Sequence, residues 1–279
     1  MSRDTNFYYS FLVLPAEKRR AIVGVWDFCR AVDDAADEPA SGADQAAVRE
    51  ALDSWRDEIA RCFGQGAPRT PQGRVLEPLV ARFHLPRQPF DDLVDGVAMD
   101  VGERRYATFD ELREYCYRVA STVGLICLEI FGYEDPRSRQ YAVNLGLALQ
   151  LTNILRDVPT DLARGRVYIP LADLDAFGCG EEALRRGEVT GAVRGLLAHH
   201  AARAREYYAA ARAALPAGDA RRLVAAEIMG AIYRAILSKI EARDYDVFSE
   251  VVRIPRPRRA LIAASTWARI AAGGLPPVA

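Results

Sequence analysis

Along this chain apolar residues recur three and four positions apart, the repeat that gathers them on one face of an α-helix. Pro15 opens the first long segment of this kind, residues 16–38, with Ala21, Val25, Phe28 and Val32 on its apolar side. Further helical patterns fall at about 44–63, 74–84, 89–101, 109–131, from about 141 into QLTNILRDVPTDLARGRVYIP, and at 181–186, 190–215 and 219–244. GQGAPRTPQG, residues 64–73, reads as a loop, and 171–180 as a short connection. Thr108 and Glu111 predict a capping box at the start of the 109–131 helix. There is no convincing strand run and no internal repeat. The pattern therefore predicts an all-α fold in one domain, residues 1–279, with 253–279 set apart as a peripheral C-terminal tail.

One helix breaks its own apolar pattern. Gly146, Gln150, Asn153, Asp157 and Asp161 follow one another at spacings of three or four and share a face, while Leu147, Leu149, Leu151, Ile154 and Leu155 surround them. Burying such groups without partners costs roughly 1–3 kcal/mol each, and more for a carboxylate. Two readings are open: a solvent-facing stripe, or a site whose cost a bound cation removes. A second acidic stripe favours the cation. Asp33 and Asp37 stand four apart on residues 16–38, with Arg30 and Trp26 on the preceding turns and Asp34 about 100° away. Asp91 and Asp95 make a third pair, read as structural because no amide or arginine stripe accompanies it. Ser121, Thr122 and Gly124 are small residues on a bulky helix, which implies close packing or a channel for a long apolar ligand.

Composition narrows the partners. With 37 basic against 38 acidic residues and 50% hydrophobic content, the chain can bury a large core and carries no broad basic footprint for nucleic acid. The run RIPRPRR at 253–259 suits an anionic membrane surface instead. Five scattered cysteines form no C-x-x-C pair, which argues against a disulfide framework or a zinc site and for a reducing, cytoplasmic setting. With three histidines, any metal should take oxygen ligands, as Mg²⁺ or Mn²⁺ does. No targeting peptide and no membrane-length apolar run is present, so membrane contact, if made, is peripheral at the inner face. Facing one another across a cavity, the two acidic pairs could hold several Mg²⁺ ions and, through them, a diphosphate whose departure leaves an allylic cation.

The pieces FYYSFLVLP, DFCRAVDDAADE, YCYRVASTVG and QLTNILRDVPTDLARGRVYIP together resemble the squalene and phytoene synthase family of head-to-head prenyl synthases, over about residues 7–248. The resemblance implies a helical bundle of the isoprenoid synthase type with a central apolar cavity. It implies that Asp33, Asp37, Asp157 and Asp161 bind Mg²⁺ and carry catalysis, with Asn153 assisting the second metal group. Arg30 would contact diphosphate and Arg156 bind substrate. Gln150, Gly124, Ala142 and Gly146 would line the prenyl channel, Tyr115 and the catalytic Tyr233 would lie near the reacting groups, and Phe7 would help close the cavity.

The opening TNFYYSF and the motif spacing resemble bacterial presqualene diphosphate synthases of the hopanoid route. That implies condensation of two farnesyl diphosphates to presqualene diphosphate without NADPH, in the company of downstream isoprenoid enzymes. The alternatives are phytoene or dehydrosqualene synthesis, NADPH-dependent squalene synthesis, and a catalytically inactive assembly or prenyl-binding relative. A purely structural bundle with solvated acid pairs is a further reading. Three positions depart from the family pattern. Pro159 stands between Asp157 and Asp161, where a kink would displace Asp161; Thr160 replaces a common acid; and Glu250 stands where a basic residue is expected.

Overall fold

The computed structural model describes residues 8–37, 45–102 and 104–274, and of residues 36 and 37 the backbone alone. Its helices are α1 (Tyr8–Phe11), α2 (Ala16–Asp37), α3 (Gln45–Cys62), α4 (Pro71–Phe83), α5 (Gln88–Ala98), α6 (Phe109–Cys116), a π-helical turn (Tyr117–Ser121), α7 (Thr122–Phe131), α8 (Arg137–Ala163), α9 (Leu171–Ala176), α10 (Glu181–Arg185), α11 (Gly191–Ala214), α12 (Val224–Ala242) and α13 (Arg256–Ala271). Among the described residues there is no strand; an isolated parallel bridge joins Arg105 to Val167. The protein is a single-domain bundle.

The axis of the bundle is α8, 27 residues and so about 40 Å long. Leu147, Leu151, Ile154, Leu155 and Val158 are buried on it, each contributing roughly 1.5–3 kcal/mol of apolar transfer. α11 runs along it, and the Thr152 and Tyr208 hydroxyls meet at 3.0 Å between the two. On another side α7 and the π turn come close, because Gly146 allows it. A Cβ there would lie 2.6 Å from the Ser121 Cα. At Gly124 it would lie 3.0 Å from the Ala142 carbonyl oxygen. The small residues therefore serve close helix contact as well as lining space.

Several boundaries move for local reasons. The expected 109–131 helix is interrupted by the π turn, where one extra residue enters the backbone ladder. α4 starts at Pro71 rather than 74, since Thr70 caps it by accepting from the Gly73 N–H at 2.9 Å and proline is tolerated in a first turn. The buried Glu58 carboxylate accepts the Arg69 and Thr70 N–H groups at 2.9 and 2.7 Å, and a Cβ at Gly73 would collide with it. The Thr108 cap forms, with Glu111 reaching the Ala107 N–H at 2.8 Å. The 171–180 connection contains α9, and residues set apart as a tail form α13, which packs on α12 and α1. Pro159 does not end α8: the helix runs on to Ala163.

Candidate functional site

A cavity of about 480 Å³ opens between α2, the π turn and α7, α8 and α12. Its wall divides by chemistry. Arg30, Asp33 and Asp34 come from the last turns of α2, and Gln150, Asn153 and Arg156 from the second half of α8, joined by Arg164. Elsewhere the wall is largely apolar, with Ile22, Val25, Leu128, Phe131, Leu145 and Met229. The two lining thiols, Cys29 and Cys127, are pushed up by burial, Cys127 to about 12, and stay protonated.

Of the residues singled out from sequence, Asp33, Arg30, Gly124, Ala142, Gly146, Gln150, Asn153, Arg156 and Tyr233 all line this cavity. Asp157 and Asp161 continue the α8 face one and two turns beyond Asn153. Asp157 is held by its neighbour: Arg156 donates Nε to Oδ1 at 2.8 Å and a terminal nitrogen to Oδ2 at 2.5 Å. Burial works against the Arg156 charge, yet this two-point pairing and the facing Tyr233 hydroxyl hold it firmly protonated.

Asp161 is in the opposite position. Burial first, and then the Asp157 charge, push its carboxyl up to about 7, against the partial relief of Arg166 and Arg164. The two carboxylates remain coupled across Pro159, although neither Asp157 nor Asp161 is among the residues that line the cavity. Thr160 turns back to the Asp157 carbonyl at 2.8 Å, and Glu250 is exposed and paired with Arg243.

Asn153 carries the clearest unmet demand. Its Nδ2 donates to Gln150 Oε1 at 3.3 Å, but its Oδ1 is buried and accepts nothing. An amide oxygen without a donor, followed on the same face by two carboxylates, supplies the hard oxygen donors that Mg²⁺ or Mn²⁺ takes. Among the described residues no three His, Cys, Asp or Glu side chains converge on one point. Phe7 and the Asp37 side chain lie outside the described residues.

Tyr115 is not brought to the cavity. It is buried behind α8, donating to Asp100 Oδ2 at 2.8 Å and stacked on Tyr168 at 5.1 Å between ring centroids. Tyr168, from the R-x-Y-x-P run, donates to Asp100 Oδ1 at 2.9 Å. Lying just before the π turn, Tyr115 faces this cluster, and the residues that reach the cavity wall begin at Val119. Asp34, Arg164 and Asp100 were not foreseen. Asp34 reaches the wall although Asp33 does too, and it accepts from Arg30 Nε at 3.3 Å. Asp100 bears on Asp161 through space, and nothing in its local sequence signals that.

The squalene/phytoene synthase family model matches residues 1–260. Phytoene synthase of Arthrospira platensis is 38% identical over 265 residues, covering 90% of this chain and 84% of that protein. The 15-cis-phytoene synthase of Synechococcus elongatus is 38% identical over 268 residues, covering 91% and 85%. Among solved structures, a dehydrosqualene synthase in complex with ligand superposes with a TM-score of 0.85 at 27% identity, over 96% of this chain and 93% of that one. The squalene synthase HpnC from Alicyclobacillus acidocaldarius gives 0.76 at 32% identity, over 86% and 89%. The curated relatives carry the phytoene name where the N-terminal motif suggested presqualene diphosphate. With the family model spanning nearly the whole chain and the cavity built from its motif residues, the chain belongs to the squalene/phytoene synthase family of head-to-head prenyltransferases.

Proposed function

We infer that this chain joins two geranylgeranyl diphosphates head to head to give phytoene, with Mg²⁺ as the metal. The observation that carries the metal-assisted part is the buried, unaccepting Asn153 Oδ1 on the face that continues into Asp157 and Asp161, above an apolar cavity. The phytoene part is supported by the two phytoene synthases at 38% identity over most of their length. A second reading, two farnesyl diphosphates giving presqualene diphosphate, is favoured by the likeness to squalene synthase HpnC and to the dehydrosqualene synthase.

The residues divide the work. Asp33, Asp157, Asp161 and Asn153 would hold Mg²⁺, with Asp37 as a further ligand. When bound, the metal neutralises the departing diphosphate. Arg156, kept protonated by Asp157, and Arg30 and Arg164 on the same part of the wall present positive charge to that group. The Tyr233 hydroxyl, facing Arg156 on the cavity wall, would lie near the diphosphate and the reacting carbons. Aliphatic walls from α7, α8 and α12 exclude water and so protect the allylic cation from hydrolysis. Loss of one diphosphate and one proton gives presqualene diphosphate, whereas phytoene requires that both diphosphates leave and two protons are lost; released diphosphate or a tyrosine would take each proton, and neither product requires an added reductant.

The test is a product assay of the purified protein with Mg²⁺ and either geranylgeranyl or farnesyl diphosphate. The C20 substrate should give phytoene and released diphosphate. If farnesyl diphosphate were turned over with the higher kcat/KM and presqualene diphosphate accumulated, the second reading would replace the first.

A further inference from the structure

We propose that the outer face of α13 is a docking surface for an anionic lipid bilayer. α13 buries one side against the bundle: Arg259, Ala263, Thr266 and Ile270 are covered, with Ala263 packed beside Ile228 and Ile232 of α12. On the opposite side Ala260, Leu261, Ala264, Trp267, Ala268 and Ala271 are exposed. At 100° per residue they fill one arc of about 120°.

A single exposed leucine is unremarkable, but this arc is contiguous and contains no polar side chain. Leu261 is 68% exposed and Trp267 51%. A water-facing helix would place charge there. Instead the charge sits at the rims, with Arg258 and Arg269 beyond one edge of the arc and Arg256 beyond the other.

Charge complementarity selects the occupant. From Val251 to the end of the chain there are five arginines and no acidic residue, in a protein whose formal net charge is −1. An apolar arc with an indole at its edge, rimmed by arginines, is the pattern of a helix lying in a lipid headgroup region, where tryptophan favours the interface and arginine pairs with anionic headgroups. Among the described residues no helix is long and apolar enough to cross a membrane, so the contact is with the surface. The inference is independent of which prenyl diphosphate the cavity takes.

The experiment is co-sedimentation of the full chain with vesicles of phosphatidylcholine alone and of phosphatidylcholine with about one-third phosphatidylglycerol. The wild type should bind the anionic vesicles, and Leu261→Ser with Trp267→Ser should weaken that binding roughly tenfold or more. Arg258→Gln with Arg269→Gln should weaken it on anionic vesicles, most strongly at low salt. Both variants should keep the wild-type helical circular dichroism and turn over substrate supplied in detergent. Wild-type protein remaining in the supernatant with both vesicle types would overturn the proposal, as would undiminished binding of the apolar variant. So would a dimer, seen by analytical ultracentrifugation without lipid binding, that the apolar variant dissociates; the face would then belong to a second copy of the chain.

Discussion

α5 and α8 carry the same motif, two aspartates four apart, and the molecule treats them in opposite ways. On α5, Asp95 accepts from Arg56 at 2.7 Å and from Arg118 at 3.3 Å, and Asp91 from Arg87 at 3.0 Å. These are partly exposed pairs, worth about 0–1 kcal/mol, and they leave nothing wanting. On α8, Asp157 has one arginine, the half-buried Asp161 has no arginine bound to it among the described residues and feels Asp157 and Asp100 against the partial relief of Arg166 and Arg164, and the Asn153 oxygen ahead of them has no donor. Spacing puts two carboxylates on one helix face; unmet polar demand is what marks the α8 face as a site.

The largest expected effect follows from removing the anchor of that face. Asp157→Ala should lower kcat by about a thousandfold or more while leaving the helical spectrum intact, because it would strip both the proposed metal donor and the partner that orients Arg156. Asp95→Asn, the matched change on α5, should leave kcat within about twofold. Equal losses would erase the distinction between the two helices.

Gly146→Ala should come next. Its methyl would press on the Ser121 backbone, which cannot yield cheaply, and a loss of about 2–3 kcal/mol in denaturant midpoint measurements is expected. Asn153→Ala should raise the Mg²⁺ concentration needed for half-maximal activity by about ten- to a hundredfold, with little change in Tm, since the lost oxygen bonds nothing in the protein. A Tm drop without a shifted Mg²⁺ requirement would make Asn153 structural.

Asp161 gives a test with a definite sign. Its folded pKa of about 7 lies above the ordinary aspartate value of 3.8, so between those limits the native state holds a proton that the unfolded chain has released. The stability of the metal-free protein should therefore fall as pH rises from about 4 to about 7. Asp161→Asn should remove that fall and stabilise the metal-free protein by about 1–3 kcal/mol at pH 8, while impairing turnover. Thermal melts in a chelator across this range would show it, and identical pH profiles for the two proteins would refute the electrostatic account. The smallest effect is the stability cost of Asp95→Asn, about 1 kcal/mol or less.

Much of this was legible in the sequence, for one reason. The stripe from Gly146 to Asp161, and Arg30 with Asp33, depend only on helical periodicity, and α8 and α2 are long enough to keep it. What was not legible depends on contacts between distant segments or on a local change of period. Tyr115 is drawn away by Asp100 and Tyr168, which no spacing links to it. Asp34 reaches the cavity beside Asp33, so a strict 100° rule was too narrow for residues near a helix end. Pro159 removes one N–H without breaking α8, because the buried leucines around it hold the helix in place. Substrate length is a different kind of question: TNFYYSF resembles the C15 route, whereas relatives 38% identical over most of the chain are phytoene synthases.

The π turn at Tyr117–Ser121 has a consequence for how this family can vary. Val119 and Ala120 within it, and Val123 with Gly124 and Cys127 with Leu128 beyond it, present themselves to the cavity in adjacent pairs four apart, followed by Phe131. Deleting one residue within the turn would restore an ordinary α-helical ladder and, because the wide turn had absorbed the extra residue, leave the residues after it facing as they do. A single-codon deletion there would therefore reshape the wall only at the turn itself, around Val119 and Ala120, and leave the rest of the α7 face to the cavity as it is.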